Sequence, residues 1–196
     1  MLCTGGVAAG AALSVELAAI DEPREVRSGP TGLAIRAEAA LDPDRADILV
    51  VPDPAAPAMA DIPRLLQRAV ASGLPALLAR TLARQGATAA TVCGGSMILA
   101  MAGLLKDRPA VTHHLGMPML SALGAVAVPA RVVDDGNLVT AGGVTSGLDL
   151  TLHLLERTFG PRVAHAAELA FQYERRGTVW RAAGVEAAAG APPESP

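Results

Sequence analysis

The stretch Thr91-Val92-Cys93-Gly94-Gly95-Ser96 places a thiol between a segment of strand character and an apolar helical run. A sharp strand-to-helix turn lifts the residue at its apex out of the sheet, and small flanking residues let the backbone make that turn. Cys93 falls at the apex. The helix that follows offers unpaired N–H groups and the positive end of its dipole. Both favour the thiolate, so the Cys93 pKa is expected to fall and the sulfur to act as a nucleophile. The N–H groups of Gly94 and Gly95 are then placed to hold negative charge developing on a bound substrate. The same apolar surroundings also suit a buried, inert cysteine.

His113 and His114 follow twenty and twenty-one residues after Cys93. A short strand beside that of the cysteine would bring one imidazole to the thiol as base or hydrogen-bond partner; a histidine paired locally is the alternative. His153 and His165 lie in helical segments and read as structural. No set of His, Cys and Asp has metal-ligand spacing, so no metal is expected. Cys3 and Cys93 do not make a disulfide framework and read as two separate thiols. The run Gly142-Gly143-Val144-Thr145-Ser146-Gly147 lacks the lysine of a phosphate-binding loop and reads as a turn from strand into helix that shapes a pocket wall.

These residues need a scaffold, and the pattern supplies one by alternating short β-like and helical runs, the signature of an α/β fold. Strands are expected at Leu13–Ile20, Gly32–Arg36, Asp47–Pro52, Ala87–Val92, Ala110–Thr112, Val128–Val133 and Leu138–Thr140, with a turn at Val26–Thr31. Asp47–Pro52 reads as a buried parallel strand, apolar on both faces. Asp134-Asp135-Gly136-Asn137 has hairpin-turn composition. Helices are expected at Asp61–Ser72, with Asp61 as cap, at Leu74–Gln85, Met97–Leu105, Ser146–Phe159 and Arg162–Tyr173. Ser146 and Asp149 have capping-box spacing.

Of the 196 residues, 51% are hydrophobic and only 2% aromatic, so the core must be built from Ala, Val, Leu and Ile. That composition excludes a disordered chain. A net charge of −3 without a basic stripe argues against a nucleic-acid partner. No apolar stretch is long enough to span a membrane, and the apolar start lacks the basic segment of a secretory signal. The expected location is the cytoplasm. One domain is expected over residues 1–180, with a flexible tail over 181–196.

Val92-Cys93-Gly94-Gly95-Ser96, Ala102-Gly103-Leu104-Leu105, Thr112-His113 and the block Asp135-Gly136-Asn137-Leu138-Val139-Thr140-Ala141-Gly142-Gly143-Val144-Thr145-Ser146-Gly147-Leu148-Asp149 together resemble the ThiJ/PfpI superfamily. Within it the pattern is similar to isocyanide (isonitrile) hydratases and to the sensor domains of AraC-type regulators. The resemblance spans roughly Leu13 to Trp180. It implies a class I glutamine-amidotransferase-like, flavodoxin-like three-layer sandwich with a mostly parallel sheet, commonly a homodimer, with Cys93 as nucleophile and His113 as the histidine of the family's Thr-His pair. The implied reaction adds water to R–N≡C through a Cys93 thioimidate, giving an N-substituted formamide from a small-molecule substrate without a cofactor. A non-catalytic small-molecule or redox sensor, weakened or inactive as an enzyme, is the second expectation.

The sequence departs from the family pattern in three places. The chain starts inside the family's first helix, so the family's first strand and its acidic residue have no counterpart, as a truncated start would produce. Val51-Pro52-Asp53-Pro54 stands where the family has Val-Pro-Gly-Gly, and Pro54 has no N–H to donate. Asp53 there either supplies a carboxylate near Cys93 or serves as a turn residue before Pro54. Gly94 stands where hydratases carry Thr and peptidase-like members carry His, which argues against a peptidase.

Overall fold

Small side chains set how closely the layers of this molecule approach. The computed structural model describes the chain apart from residues 11, 12, 30, 55, 57 and 185–196. A helix α1 (Leu2–Ala8) is followed by β1 (Ala18–Ala19), the hairpin strands β2 (Arg24–Ser28) and β3 (Leu33–Ala37), β4 (Ala39–Ala40) and β5 (Ile48–Val51). Next come α2 (Ile62–Val70), α3 (Leu74–Ala83), β6 (Thr88–Val92), α4 (Gly94–Met101), β7 (Pro109–Ala110), α5 (Met117–Ala122) and β8 (Val126–Ala127). The hairpin β9 (Val132–Asp135) and β10 (Leu138–Ala141) leads into α6 (Ser146–Phe159), α7 (Pro161–Phe171) and β11 (Trp180–Arg181).

The main sheet has the order β11-β9-β10-β6-β5. It is parallel except between β9 and β10. Strand β6 lies inside it and reads Thr-Ala-Ala-Thr-Val. Its period-2 alternation sends Ala89 to one core and Ala90 to the other. The first core joins Leu49 and Val51 of β5 to Leu78 of α3, Leu120 of α5 and Met97, Ile98 and Leu99 of α4. The second joins Val139 and Ala141 of β10 to Leu150 and Leu154 of α6. Beyond α6, Leu152 and Leu155 pack on Ala164 and Ala167 of α7, with Met1 and Leu2 against them. This is a mixed α/β three-layer architecture with an open, mostly parallel sheet. Among the described residues no helix is long and apolar enough to cross a membrane.

The sequence patterns and the elements differ at informative places. The expected strand Leu13–Ile20 is reduced to Ala18–Ala19, which pairs only with β4; an apolar run remains a strand only where a neighbour completes its ladder. Val26 to Ser28, expected in a turn, belong to β2, because the pairs Val26–Ile35 and Glu25–Arg36 extend the ladder and Gly29 and Gly32 carry the reversal. Strand β5 is an outer strand rather than one buried on both faces, and Val50 is 41% exposed. Helix α4 starts at Gly94, directly after Cys93, and ends before Gly103, whose φ of 76° stops it. The capping box does not form. Thr145 is the cap position, and Asp149 is turned to Arg131. Asp61 caps nothing with its side chain and pairs with Arg64 instead. Of the expected tail, Arg181 lies in β11, and residues 185–196 fall outside the described residues.

Leu99 is fully buried in α4, directly behind the cysteine turn, whereas Leu115 is 67% exposed. Leu99→Ala is expected to lower unfolding free energy by about 2–5 kcal/mol and Leu115→Ala by less than about 0.5 kcal/mol, read from urea denaturation midpoints.

Candidate active site

Strand β6 delivers Cys93 to the carboxyl end of the sheet in a conformation that few side-chain-bearing residues adopt, φ 55° and ψ −118°. Strain of this kind persists only where surrounding bonds over-determine it. Here the Cys93 N–H donates to the Ala141 carbonyl at 2.9 Å. The Cys93 carbonyl accepts from the Thr112 hydroxyl at 2.7 Å and from the Ser96 N–H at 3.2 Å. The hydroxyls of Thr91 and Ser96 meet at 2.7 Å across the turn. Gly95 is required on steric grounds, since a Cβ there would stand 2.5 Å from the Val51 carbonyl oxygen. The turn is therefore clamped between β5, β10 and the Thr112 segment.

Asp53, in the loop after β5, reaches this turn. Its Oδ1 accepts the Gly94 N–H at 2.8 Å, and its negative charge acts on the Cys93 thiol. Cys93 is only 5% exposed. Burial, then the charge of Asp53 and its hydrogen bond, push the thiol pKa up to about 12, against a smaller downward pull from the Gly94 N–H. The expectation of a lowered pKa is therefore corrected. The helix terminus is present, but its first N–H is shared with a carboxylate, and a buried sulfur beside an anion keeps its proton.

The loop also explains Gly94. A Cβ at that position would lie 2.6 Å from Asp53 Oδ1 and 2.9 Å from Pro54 Cδ. The Asp53-Pro54 pair and the bare glycine thus occupy one another's space. Gly95 N–H has no hydrogen-bond partner among the described residues.

His113 sits at the start of the short 3-10 turn His114–Gly116, and its Nδ1 accepts the Leu115 N–H at 3.4 Å. It makes no hydrogen bond to Cys93; its ring lies 4.2 Å from that of His114. The structure thus joins Cys93, Asp53, Gly94 and Gly95, and leaves His113 with a local bond. Thr112 is a positioning residue that residue types alone did not single out, although it stands in the Thr112-His113 pair. His153, on α6, is fully buried and bonds Asp134 at 2.7 Å through Nε2, well inside the helix–sheet packing. Cys3 is exposed and Cys93 buried, both as free thiols. Among the described residues no group of three or more His, Cys, Asp or Glu is arranged to hold a metal ion.

Comparison with known proteins places this site in context. The model of the DJ-1/PfpI family matches residues 3–157. An isonitrile hydratase of Pseudomonas putida is 42% identical over 94 residues, 48% of this chain and 41% of that protein. The transcriptional regulator CdhR of Pseudomonas aeruginosa is 30% identical over 136 residues, 68% of this chain and 38% of the regulator. The chain thus spans about two fifths of the length of each of these curated relatives. A crystal structure of a ThiJ/PfpI family protein from Pseudomonas syringae superposes with a TM-score of 0.67 at 28% identity, covering 90% of this chain and 70% of that one.

Three outcomes follow from the buried thiol and the Asp53 loop over it. At pH 8 iodoacetamide is expected to label exposed Cys3 and spare Cys93, whose labelling should climb with pH toward about 12. Asp53→Asn, which removes the charge, should raise the Cys93 rate at pH 8 by about tenfold or more, followed by peptide mass spectrometry. Gly94→Thr should force the Asp53-Pro54 loop outward. It is expected to cost about 1–3 kcal/mol of stability in chemical denaturation while also raising the alkylation rate of Cys93.

Proposed function

The chain belongs to the DJ-1/PfpI family, and from that membership we propose that it is a cysteine-dependent, isocyanide hydratase-like enzyme. The observation that carries this reading is the Asp53 carboxylate, anchored on the Gly94 N–H at the strained Cys93 turn, beside a thiol whose pKa it helps to raise. Addition of a thiol to R–N≡C requires the sulfur and a proton to reach the same terminal carbon. Asp53 accepts the proton from Sγ as the S–C bond forms, then delivers it to that carbon, giving the thioimidate R–N=CH–S–Cys93. Water adds to this carbon. Transfer of its protons to nitrogen and sulfur breaks the C–S bond, releasing R–NH–CHO and restoring the thiol. Atoms balance as R–N≡C plus water giving the formamide, with no cofactor consumed. Charge developing on the substrate meets the Gly95 N–H, with Gly94 N–H as a second donor when Asp53 withdraws. His113, adjacent in sequence to the Thr112 that holds the Cys93 carbonyl, is the polar neighbour this reading assigns to the bound substrate.

The proposal includes a homodimer working in the cytoplasm. Two features support it: the outer edge of β5, which a second copy would cover, and two cysteines that remain free thiols. A sensor is the second reading. It is favoured by the match to a regulator over 68% of the chain and by a thiol held neutral.

One assay separates the two. Incubation with cyclohexyl isocyanide is expected to yield N-cyclohexylformamide by mass spectrometry, with turnover abolished in Cys93→Ser and reduced about 100-fold or more in Asp53→Asn. Saturable binding of the isocyanide without formamide would favour the sensor. Formamide production that survives Cys93→Ser would refute the mechanism.

A further inference from the structure

Next to the cysteine turn lies a cleft of about 340 Å³ whose walls include Val111, His114, Met117, Pro129, Arg131 and Ser146. Cys93 does not line it. Three features make it a built site. Arg131 is fixed: its Nε and Nη2 donate to Asp149 Oδ2 at 2.8 and 2.5 Å, and Nη2 also donates to the Thr145 hydroxyl at 3.2 Å. Asp149, itself 2% exposed, is held in turn by the Tyr173 hydroxyl at 3.1 Å and the Arg176 N–H at 2.9 Å. The guanidinium therefore keeps one pose, and its Nη1 has no acceptor among the described residues.

The second feature is Ser146, 3% exposed, whose hydroxyl has no hydrogen-bond partner among the described residues. Its oxygen is not sealed from the cleft that Ser146 lines, so the hydroxyl is free to donate to a molecule bound there. Capping does not account for it, since Thr145 holds the cap position of α6. The third feature is α6 itself, a 14-residue helix whose positive end opens at the same wall. The remaining wall is aliphatic: Val111, Met117 and Pro129.

We propose that this cleft binds a small monocarboxylate with a short aliphatic body. Arg131 Nη1 and the Ser146 hydroxyl donate to its carboxylate, and Val111, Met117 and Pro129 pack against its hydrocarbon. The buried charge of Asp149 disfavours a dianion such as phosphate. The volume lies at the small end of ligand pockets, which suits a compact ligand. This inference does not rest on the isocyanide chemistry of Cys93.

The test uses the full chain and 3-methylbutanoate as probe, followed by thermal shift and by amide chemical shifts. The expected result is saturable binding that perturbs Gly143 and Ser146, absent with 3-methylbutanamide or inorganic phosphate. Ser146→Ala should weaken it about tenfold at unchanged melting temperature. Arg131→Lys, which keeps a cation opposite Asp149, should weaken it as well, whereas Cys93→Ser should bind as the parent does. The proposal is overturned by no saturable binding, by equal binding of the amide or phosphate, by Ser146→Ala binding as tightly as the parent, or by loss of binding in Cys93→Ser.

Discussion

The strained backbone of Cys93 is held in place by three segments that meet only in the folded chain. Ala141 of β10 takes its N–H, Thr112 donates to its carbonyl, and the backbone of Val51 and Pro52 after β5 closes over Gly95. Each contact fixes one side of a turn that an isolated peptide would not adopt at φ 55°. The rest of the architecture follows from the need to bring these segments together. The alanines of β6 let α4 and α6 approach from opposite faces, and the Leu- and Val-rich cores behind them make the turn rigid.

Two departures from the family pattern turn out to be one structural feature. Pro54 removes a backbone donor and Gly94 removes a side chain, and taken separately each is a loss. In the fold they are complementary: the missing side chain leaves room for Pro54 Cδ and Asp53 Oδ1, and Asp53 then takes the freed N–H and bears on the thiol through its charge. A carboxylate is thus brought to the cysteine turn by the loop after β5.

How much of this was legible depended on whether the signal was local. Helix α6 could be read to the residue, because Ser146–Phe159 carries strong helical periodicity and ends at Gly160-Pro161. The Cys93 turn was legible from its glycines for the same reason. The thiol pKa was not, because it is set first by burial in the folded core and then by a carboxylate forty positions away in the chain. The role of Asp149 was misread because spacing suggests a cap, whereas a buried carboxylate answers to whichever cation folding brings near, here Arg131. Strand β5 was legible as a strand but not as an outer one, since an apolar run does not state how many neighbours it will have.

A thiol held near pKa 12 and a nucleophilic sulfur are compatible once the proton is followed rather than the charge. Releasing that proton to water at pH 7 would cost roughly 7 kcal/mol, since each pKa unit is about 1.4 kcal/mol. Passing it to Asp53 leaves the net charge of the pair unchanged and moves one negative charge from oxygen to sulfur inside the same buried space. The desolvation and repulsion that raise the thiol pKa then oppose a second charge, not the transfer of the first. Reactivity on this arrangement is therefore confined to substrates that accept sulfur and proton together. That requirement discriminates against ordinary alkylating electrophiles, which take the sulfur alone and leave its proton on the carboxylate.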